Sequence, residues 1–172
     1  MGRAGRYAGI AAAMLVTTVA GCAERDTAPS TVPPIEHARD ARAADPCALP
    51  TGAQLASLGI TASGTAAAAA EGRRCTWRAT PETGPELGIT LFVDGGGLAT
   101  LAANSEPSTS RVRLAGYPAL ETFTGTGEFC QYDVGVAPGQ VLMASLEGGE
   151  PDSCTALQAV LPDVMANLPA LS

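Results

Sequence analysis

The stretch FCQYDVGVAPGQVLMASL, residues 129–146, decides the fold of this chain. Its first half, residues 129–137, alternates apolar and polar side chains, which is the pattern of a strand with one buried face. Pro138-Gly139 then predicts a hairpin turn. The second half, residues 140–146, is apolar on both faces, which is typical of a central strand. The stretch therefore predicts an antiparallel hairpin at the centre of a sheet.

Further elements extend on both sides of this hairpin. Alternation of period two predicts strands over the ranges 74–79, 87–94, 111–115 and 117–123. Helical spacing predicts a last helix over 152–168, which Pro162 should kink or split, and shorter helices over 51–59 and 98–104. The Ala-rich range 61–72 is expected to be a loop. These elements predict an α+β domain: an antiparallel sheet of about five strands, with N-terminal and C-terminal helices packed on one face.

The first 21 residues have the pattern of a signal peptide. Arg3 and Arg6 precede the uncharged range 8–21, which is shorter than the ~20 residues of a membrane-spanning helix. The run ends in Val19-Ala20-Gly21-Cys22, which resembles the bacterial lipobox. This resemblance implies cleavage before Cys22 and a lipid anchor on its thiol, with the protein on the extracytoplasmic face of the plasma membrane. The alternative is a secreted protein with a chance Cys near its cleavage site.

The rest of the chain divides into a tether and a domain. Residues 22–44 are rich in Ala, Pro, Thr and charges and lack apolar periodicity, so they are expected to be the lipidated Cys and a flexible stalk. Residues 45–172 are expected to form a single extracytoplasmic domain. The one histidine of the sequence, His37, falls in the stalk and is interpreted as a solvated linker residue.

Four cysteines remain when Cys22 is set aside. An even number in an exported domain predicts two disulfides with three possible connectivities, and we favour Cys47–Cys75 and Cys130–Cys154. A zinc site is disfavoured because none of the four belongs to a CxxC pair and no His is near.

The composition excludes several functions. With a net charge of −7, nucleic acid is not an expected partner. Without a His in the domain, a His-assisted nucleophile cannot be built, so no catalytic residue, metal or cofactor is predicted. Carboxylates near predicted strands are expected to be solvated rather than catalytic: Glu121, Glu128, Asp133 and Glu147.

Arginines give the candidate binding surface. Alternation places Arg74, Arg78, Arg111 and Arg113 opposite the apolar face of their strands. If the two strands lie close in the sheet, these side chains form an exposed basic stripe for an anionic group or a partner. The alternative is a solvated face whose ion pairs each contribute less than ~1 kcal/mol.

Several motifs together resemble a known family. They are Asp45-Pro46-Cys47, Arg74-Cys75-Thr76-Trp77, Gly116-Tyr117-Pro118-Ala119 and Asp152-Ser153-Cys154 before a closing helix. Residues 45–169 resemble the actinobacterial lipoprotein family of domain of unknown function 3558, which implies a cell-envelope lipoprotein without an established activity. We expect a non-enzymatic, lipid-anchored module that binds an envelope protein or small ligand. The alternative is a carrier for a small apolar or amphiphilic ligand between sheet and helices.

Overall fold

The computed structural model describes residues 32–70, 72–80, 83–125, 127–149 and 151–171. Its centre is one antiparallel sheet of seven strands in the order β1-β2-β3-β7-β6-β5-β4. The strands are β1 (Thr65–Ala69), β2 (Gly72–Arg78), β3 (Glu86–Phe92), β4 (Thr109–Leu114), β5 (Tyr117–Thr124), β6 (Phe129–Ala137) and β7 (Gln140–Glu147). The helices are α1 (Gly52–Ser57), α2 (Gly97–Ala103) and α3 (Ser153–Ala166), and a 3-10 turn covers Pro46–Ala48.

The α+β class is confirmed, but the sheet has seven strands rather than about five. Strand β1 lies within range 61–72, which was predicted to be a loop. The prediction failed because the five small side chains of β1 are exposed or half-buried and show no alternation. Range 109–124 forms two full strands around a tight turn, where Ala115 and Gly116 have φ angles of 49° and 87°. As predicted, β7 is the middle strand.

One face of the sheet is closely packed. Its side chains join those of α3 and the N-terminal helix in a single core that contains Trp77 and Tyr132. Leu142, Ala144 and Leu157 have no exposed surface. A cavity that admits water would expose part of its lining, so these residues enclose no ligand-sized space between sheet and α3.

Both favoured disulfides are present. Cys47–Cys75 joins the 3-10 turn to β2, and Cys130–Cys154 joins β6 to α3. Each bridge therefore ties a peripheral element to the packed face of the sheet.

The helix termini follow local sequence rules. The Thr51 hydroxyl accepts from the Gln54 amide at 3.2 Å and the Gln54 side chain accepts from the Thr51 amide at 2.7 Å, which is a complete capping box. Asp152 caps α3 by accepting from the Thr155 amide at 2.8 Å. Helix α3 continues through Pro162, so of the two expected effects, a kink or a split, the split does not occur.

The second face carries a helix that the predicted one-sided arrangement did not include. Leu98 and Ala102 of α2 pack on Leu120 and Val141, which belong to β5 and β7. Most of the other side chains on this face are polar. Among the described residues, no helix is long and apolar enough to cross a membrane.

The predicted stalk is in part bound to the domain. The Arg39 amide donates to the Val136 carbonyl at 2.8 Å, and the Asp40 amide donates to the Pro169 carbonyl at 2.8 Å. Ala41 is fully buried, and its amide donates to the Gln140 side chain at 2.7 Å. The folded unit therefore starts before residue 45. Backbone hydrogen bonds hold this segment, which explains why it shows no apolar periodicity. Its earlier part, residues 22–31, lies outside the described residues.

Candidate functional site

The four arginines of the predicted stripe share a face but do not form one surface. The register places Arg74 and Arg111 in one cross-strand row, through Thr90, Met143, Asp133 and Leu120. However, β2 is the second strand of the sheet and β4 the seventh. Five strand spacings separate them, about 24 Å. The condition that the two strands lie close is therefore not met, because β3, β7, β6 and β5 stand between them.

Arg78 and Arg73 are held by other parts of the domain. Arg78 forms an ion pair with Glu86, with Nη2 2.5 Å from Oε2. Arg73, which lies outside the predicted stripe, donates from Nη2 to the carbonyls of Ala41 and Arg42 at 2.8 and 3.0 Å. Arg73 thus holds the N-terminal segment, residues 32–44, against the domain.

Arg74 lies in a different environment. Its Nε donates to the Thr76 hydroxyl at 3.2 Å, and its side chain is half-buried. Gly88 makes room for the guanidinium: a Cβ there would be 2.9 Å from Arg74 Nη2 and 2.8 Å from Ser145 Oγ. A glycine inside a strand is typical of such a close approach. Among the described residues Arg74 forms no ion pair, so its charge is free to meet an anion.

A buried acid lies on the same face, two strands beyond Gly88. Asp133 is 7% exposed, and Nε2 of Gln131 lies 3.1 Å from both of its carboxylate oxygens. Burial raises the pKa of Asp133, and the hydrogen bond from Gln131 opposes this only in part. Burying a carboxyl group with a single amide donor lowers the stability of the fold, so Asp133 is a candidate functional residue.

These residues form what we call the polar platform: Arg74, Gly88, Ser145, Gln131 and Asp133. Cationic and acidic groups stand at its two ends, with a hydroxyl and an amide between them. Such a surface can hydrogen-bond a ligand or a loop that carries both donors and acceptors.

Arg111 and Arg113 border a second feature, at the other edge of the sheet. An open groove of about 300 Å³ lies between α2, the β4–β5 hairpin and the N-terminal segment. Its described lining is mostly apolar and includes Val32, Ala102 and Leu120. Arg113 donates from Nη1 to the Gly116 carbonyl at 2.6 Å.

The remaining carboxylates from the sequence analysis lie in two different places. Glu121 accepts a hydrogen bond from the Tyr132 hydroxyl at 2.5 Å, and burial together with this carboxylate raises the pKa of Tyr132. Glu128 and Glu147 line an open cleft near the Arg78–Glu86 pair. Within the described ranges no group of three His, Cys, Asp or Glu side chains could hold a metal ion.

The family comparison adds a name to this geometry. A family model with the description "Protein of unknown function (DUF3558)" matches residues 17–167. The chain belongs to the DUF3558 family. The DUF3558 match includes Cys22, the four disulfide cysteines and the polar platform. Cys22 itself lies outside the described residues.

Other comparisons add little to the DUF3558 assignment. No curated protein matches this chain. A crystal structure from Bacteroides thetaiotaomicron VPI-5482 is similar with a TM-score of 0.43 and 12% sequence identity. The match covers 63% of this chain and 42% of the other, so this chain spans less than half of that one.

Sequence reasoning missed most of the platform of this DUF3558 chain. Gly88, Gln131 and Ser145 carry no motif, and Asp133 was interpreted as a solvated carboxylate. The available signal was Gly88, a glycine in the middle of an apolar strand, because that position demands a close neighbour.

Proposed function

We propose that this chain is a lipid-anchored cell-envelope protein that binds a small ligand or a protein partner through its polar platform, without catalysing a reaction. The anchor is Cys22, and the domain lies on the extracytoplasmic side of the plasma membrane. The lipoprotein-like sequence from Val19 to Cys22 supports the anchor. Two disulfides support an oxidising compartment.

One observation carries the binding role. Arg74 is half-buried without an ion pair among the described residues, while Arg78 on the same strand and face is paired with Glu86. A charge kept partly out of water without an opposite charge beside it lowers stability. A bound anionic group would compensate this cost through charge-assisted hydrogen bonds.

Native mass spectrometry of the full-length protein from its own host tests the binding role. We expect the wild type to retain a ligand or partner that Arg74→Gln and Gly88→Ala lose. Gly88→Ala displaces the guanidinium and the Ser145 hydroxyl, both at the ends of side chains, so the fold should survive. The matched control is Arg78→Gln, which removes the same charge from the same strand. Equal retention by Arg74→Gln and the wild type would contradict the proposal.

The anchor has its own test. Metabolic labelling with a fatty-acid analogue should mark the wild-type protein and leave Cys22→Ala unlabelled. Labelling of Cys22→Ala at the wild-type level would show that the lipid lies elsewhere. Since Cys22 precedes the folded domain, this variant should not change binding by the platform.

A carrier of an apolar or amphiphilic ligand is a second candidate function. Among the described residues, the layer between the sheet and α3 is closely packed around Leu142 and Leu157, which have no exposed surface. The apolar groove beside α2 favours it instead, with a volume of about 300 Å³.

A further inference from the structure

The apolar groove beside α2 is lined by apolar side chains and by two arginines, Arg111 and Arg113, which lie in different parts of it. Its floor belongs to a small cluster on the second face of the sheet, in which Ala102 packs on Leu120 and Val32 covers their side. Arg111 stands opposite Leu120 in the β4–β5 register, and Arg113 stands opposite Pro118. The two guanidinium groups therefore follow one wall of the groove, and the apolar side chains form the remainder.

Charge distinguishes this wall from the rest of the molecule. The chain carries a net charge of −7, yet the described lining of the groove contains two arginines and no acidic side chain. Arg111 and Arg113 form no ion pair among the described residues. An anionic group at the groove would meet two cations in an otherwise acidic protein, which favours its approach and its orientation.

Size limits what the apolar part can hold. A volume of about 300 Å³ is at the small end of the range for ligand pockets, ~300–1,000 Å³. One short alkyl chain is compatible with this volume, and a lipid with two long chains is too large to be enclosed.

We propose that this groove binds a single-chain anionic amphiphile, with its alkyl chain on Ala102 and Leu120 and its head group at Arg111 and Arg113. The proposal rests on the second candidate function and is independent of the polar platform. The wall supplies the selectivity for an anion, and the floor supplies affinity in proportion to the apolar surface that is covered.

Methyl NMR of the full-length protein in a nonionic detergent tests this site. The probes are decanoate and decanol, which differ in the charge of the head group. Because the detergent competes equally with both, the ratio of their affinities measures the contribution of the charge. We expect decanoate to shift the Leu120 and Ala102 methyl signals at lower concentration than decanol. Arg111→Gln combined with Arg113→Gln should reduce that preference about fivefold, as expected for exposed charges.

Two further measurements address the apolar floor. Acetate should leave both methyl signals unchanged, and octanoate should bind more weakly than decanoate because it covers less apolar surface. Ala102→Leu places a larger side chain in the groove and should weaken decanoate and decanol alike. Thermal unfolding of each variant checks that the fold is retained, and the arginine variants remain informative if Ala102→Leu does not fold.

Three outcomes would overturn the proposal: equal affinities of decanoate and decanol, shifts confined to methyl groups away from the groove, or the same loss of preference in Arg78→Gln. The last variant is the control, because Arg78 lies on the same face near the opposite edge of the sheet and belongs to neither proposed binding surface. Failure of the groove proposal would not affect the proposal for the polar platform, because the platform is tested separately with Arg74→Gln and a retained host ligand.

Discussion

The two faces of the sheet differ in how closely their side chains are packed and in whether disulfides cross-link them. On the packed face, Cys75, Ile89 and Leu146 have no exposed surface, and two disulfides fasten neighbouring elements to it. On the other face, α2 covers only the end around Leu120 and Val141. The rest carries half-buried polar side chains such as Arg74 and Gln131. One face thus supplies most of the buried apolar surface, and the other carries polar and charged side chains at a cost to stability.

The largest effect should come from removing a bridge on the packed face. Replacing Cys130 and Cys154 together by Ala opens a loop with a sequence separation of 24. The chain-entropy model gives a loss of about 3.5 kcal/mol. Urea unfolding of the double variant measures it, with reduced wild type as the control. A loss below about 1 kcal/mol would mean that α3 holds to the sheet without its bridge.

A cavity in the same layer should cost nearly as much. Leu157 of α3 has no exposed surface, so Leu157→Ala should lower the free energy of unfolding by about 3 kcal/mol. Thr124→Ala, at an exposed position on the other face, should change it by less than about 0.5 kcal/mol. Equal effects of the two substitutions in chemical denaturation would show that the two faces do not differ as described.

Asp133 should produce a smaller, pH-dependent effect. Because burial raises the pKa of this carboxyl, the folded state binds its proton more tightly than the unfolded state. The destabilisation is absent below the ordinary aspartate pKa of about 3.9 and grows as pH rises through the raised pKa. Asp133→Asn should therefore be more stable than wild type at pH 7, and this advantage should disappear at pH 3.

Urea midpoints at the two pH values measure this difference. Asp163→Asn, on the exposed side of α3, is a matched control that should show no comparable gain. An identical advantage of Asp133→Asn at pH 3 and pH 7 would contradict the assignment of a buried carboxyl.

The smallest effect should come from Arg78→Gln. Arg78 and Glu86 form an ion pair on the second face, where the Arg78 side chain is 56% exposed. Exposed pairs contribute less than about 1 kcal/mol, and salt screens them. Differential scanning calorimetry at low and high salt should find a small loss that shrinks further at high salt. A loss above about 2 kcal/mol would place this pair among the main supports of the fold.

Sequence patterns predicted the packed face well because burial leaves a periodic record. Alternation placed Cys75 and Trp77 inward, the apolar run before Glu147 indicated a central strand, and both disulfide pairings are present. Strand β1 left no such record, because an edge strand of small, exposed residues needs no buried side. The docked segment around Arg39 is held by backbone hydrogen bonds, to which side-chain patterns are blind.

The second face was less predictable because strand order is not written in alternation. Period two places Arg74 and Arg111 on one face correctly, but it does not say that β7, β6 and β5 lie between β3 and β4. A single non-local pairing, β3 with β7, separates the two arginines. The same pairing puts Ser145 beside Gly88 and so creates the polar platform.

If Cys22 carries the proposed lipid anchor, the docking of residues 38–42 limits how far the domain can travel from the membrane. If the whole range from Cys22 to Asp45 were free, it could span at most about 80 Å. Val32 already packs against α2, so ten residues, 22–31, would separate the anchor from the described domain, and a chain of that length can span at most about 35 Å. The domain would then stay within a thin layer above the lipid surface, where it can contact molecules that are themselves confined to the membrane.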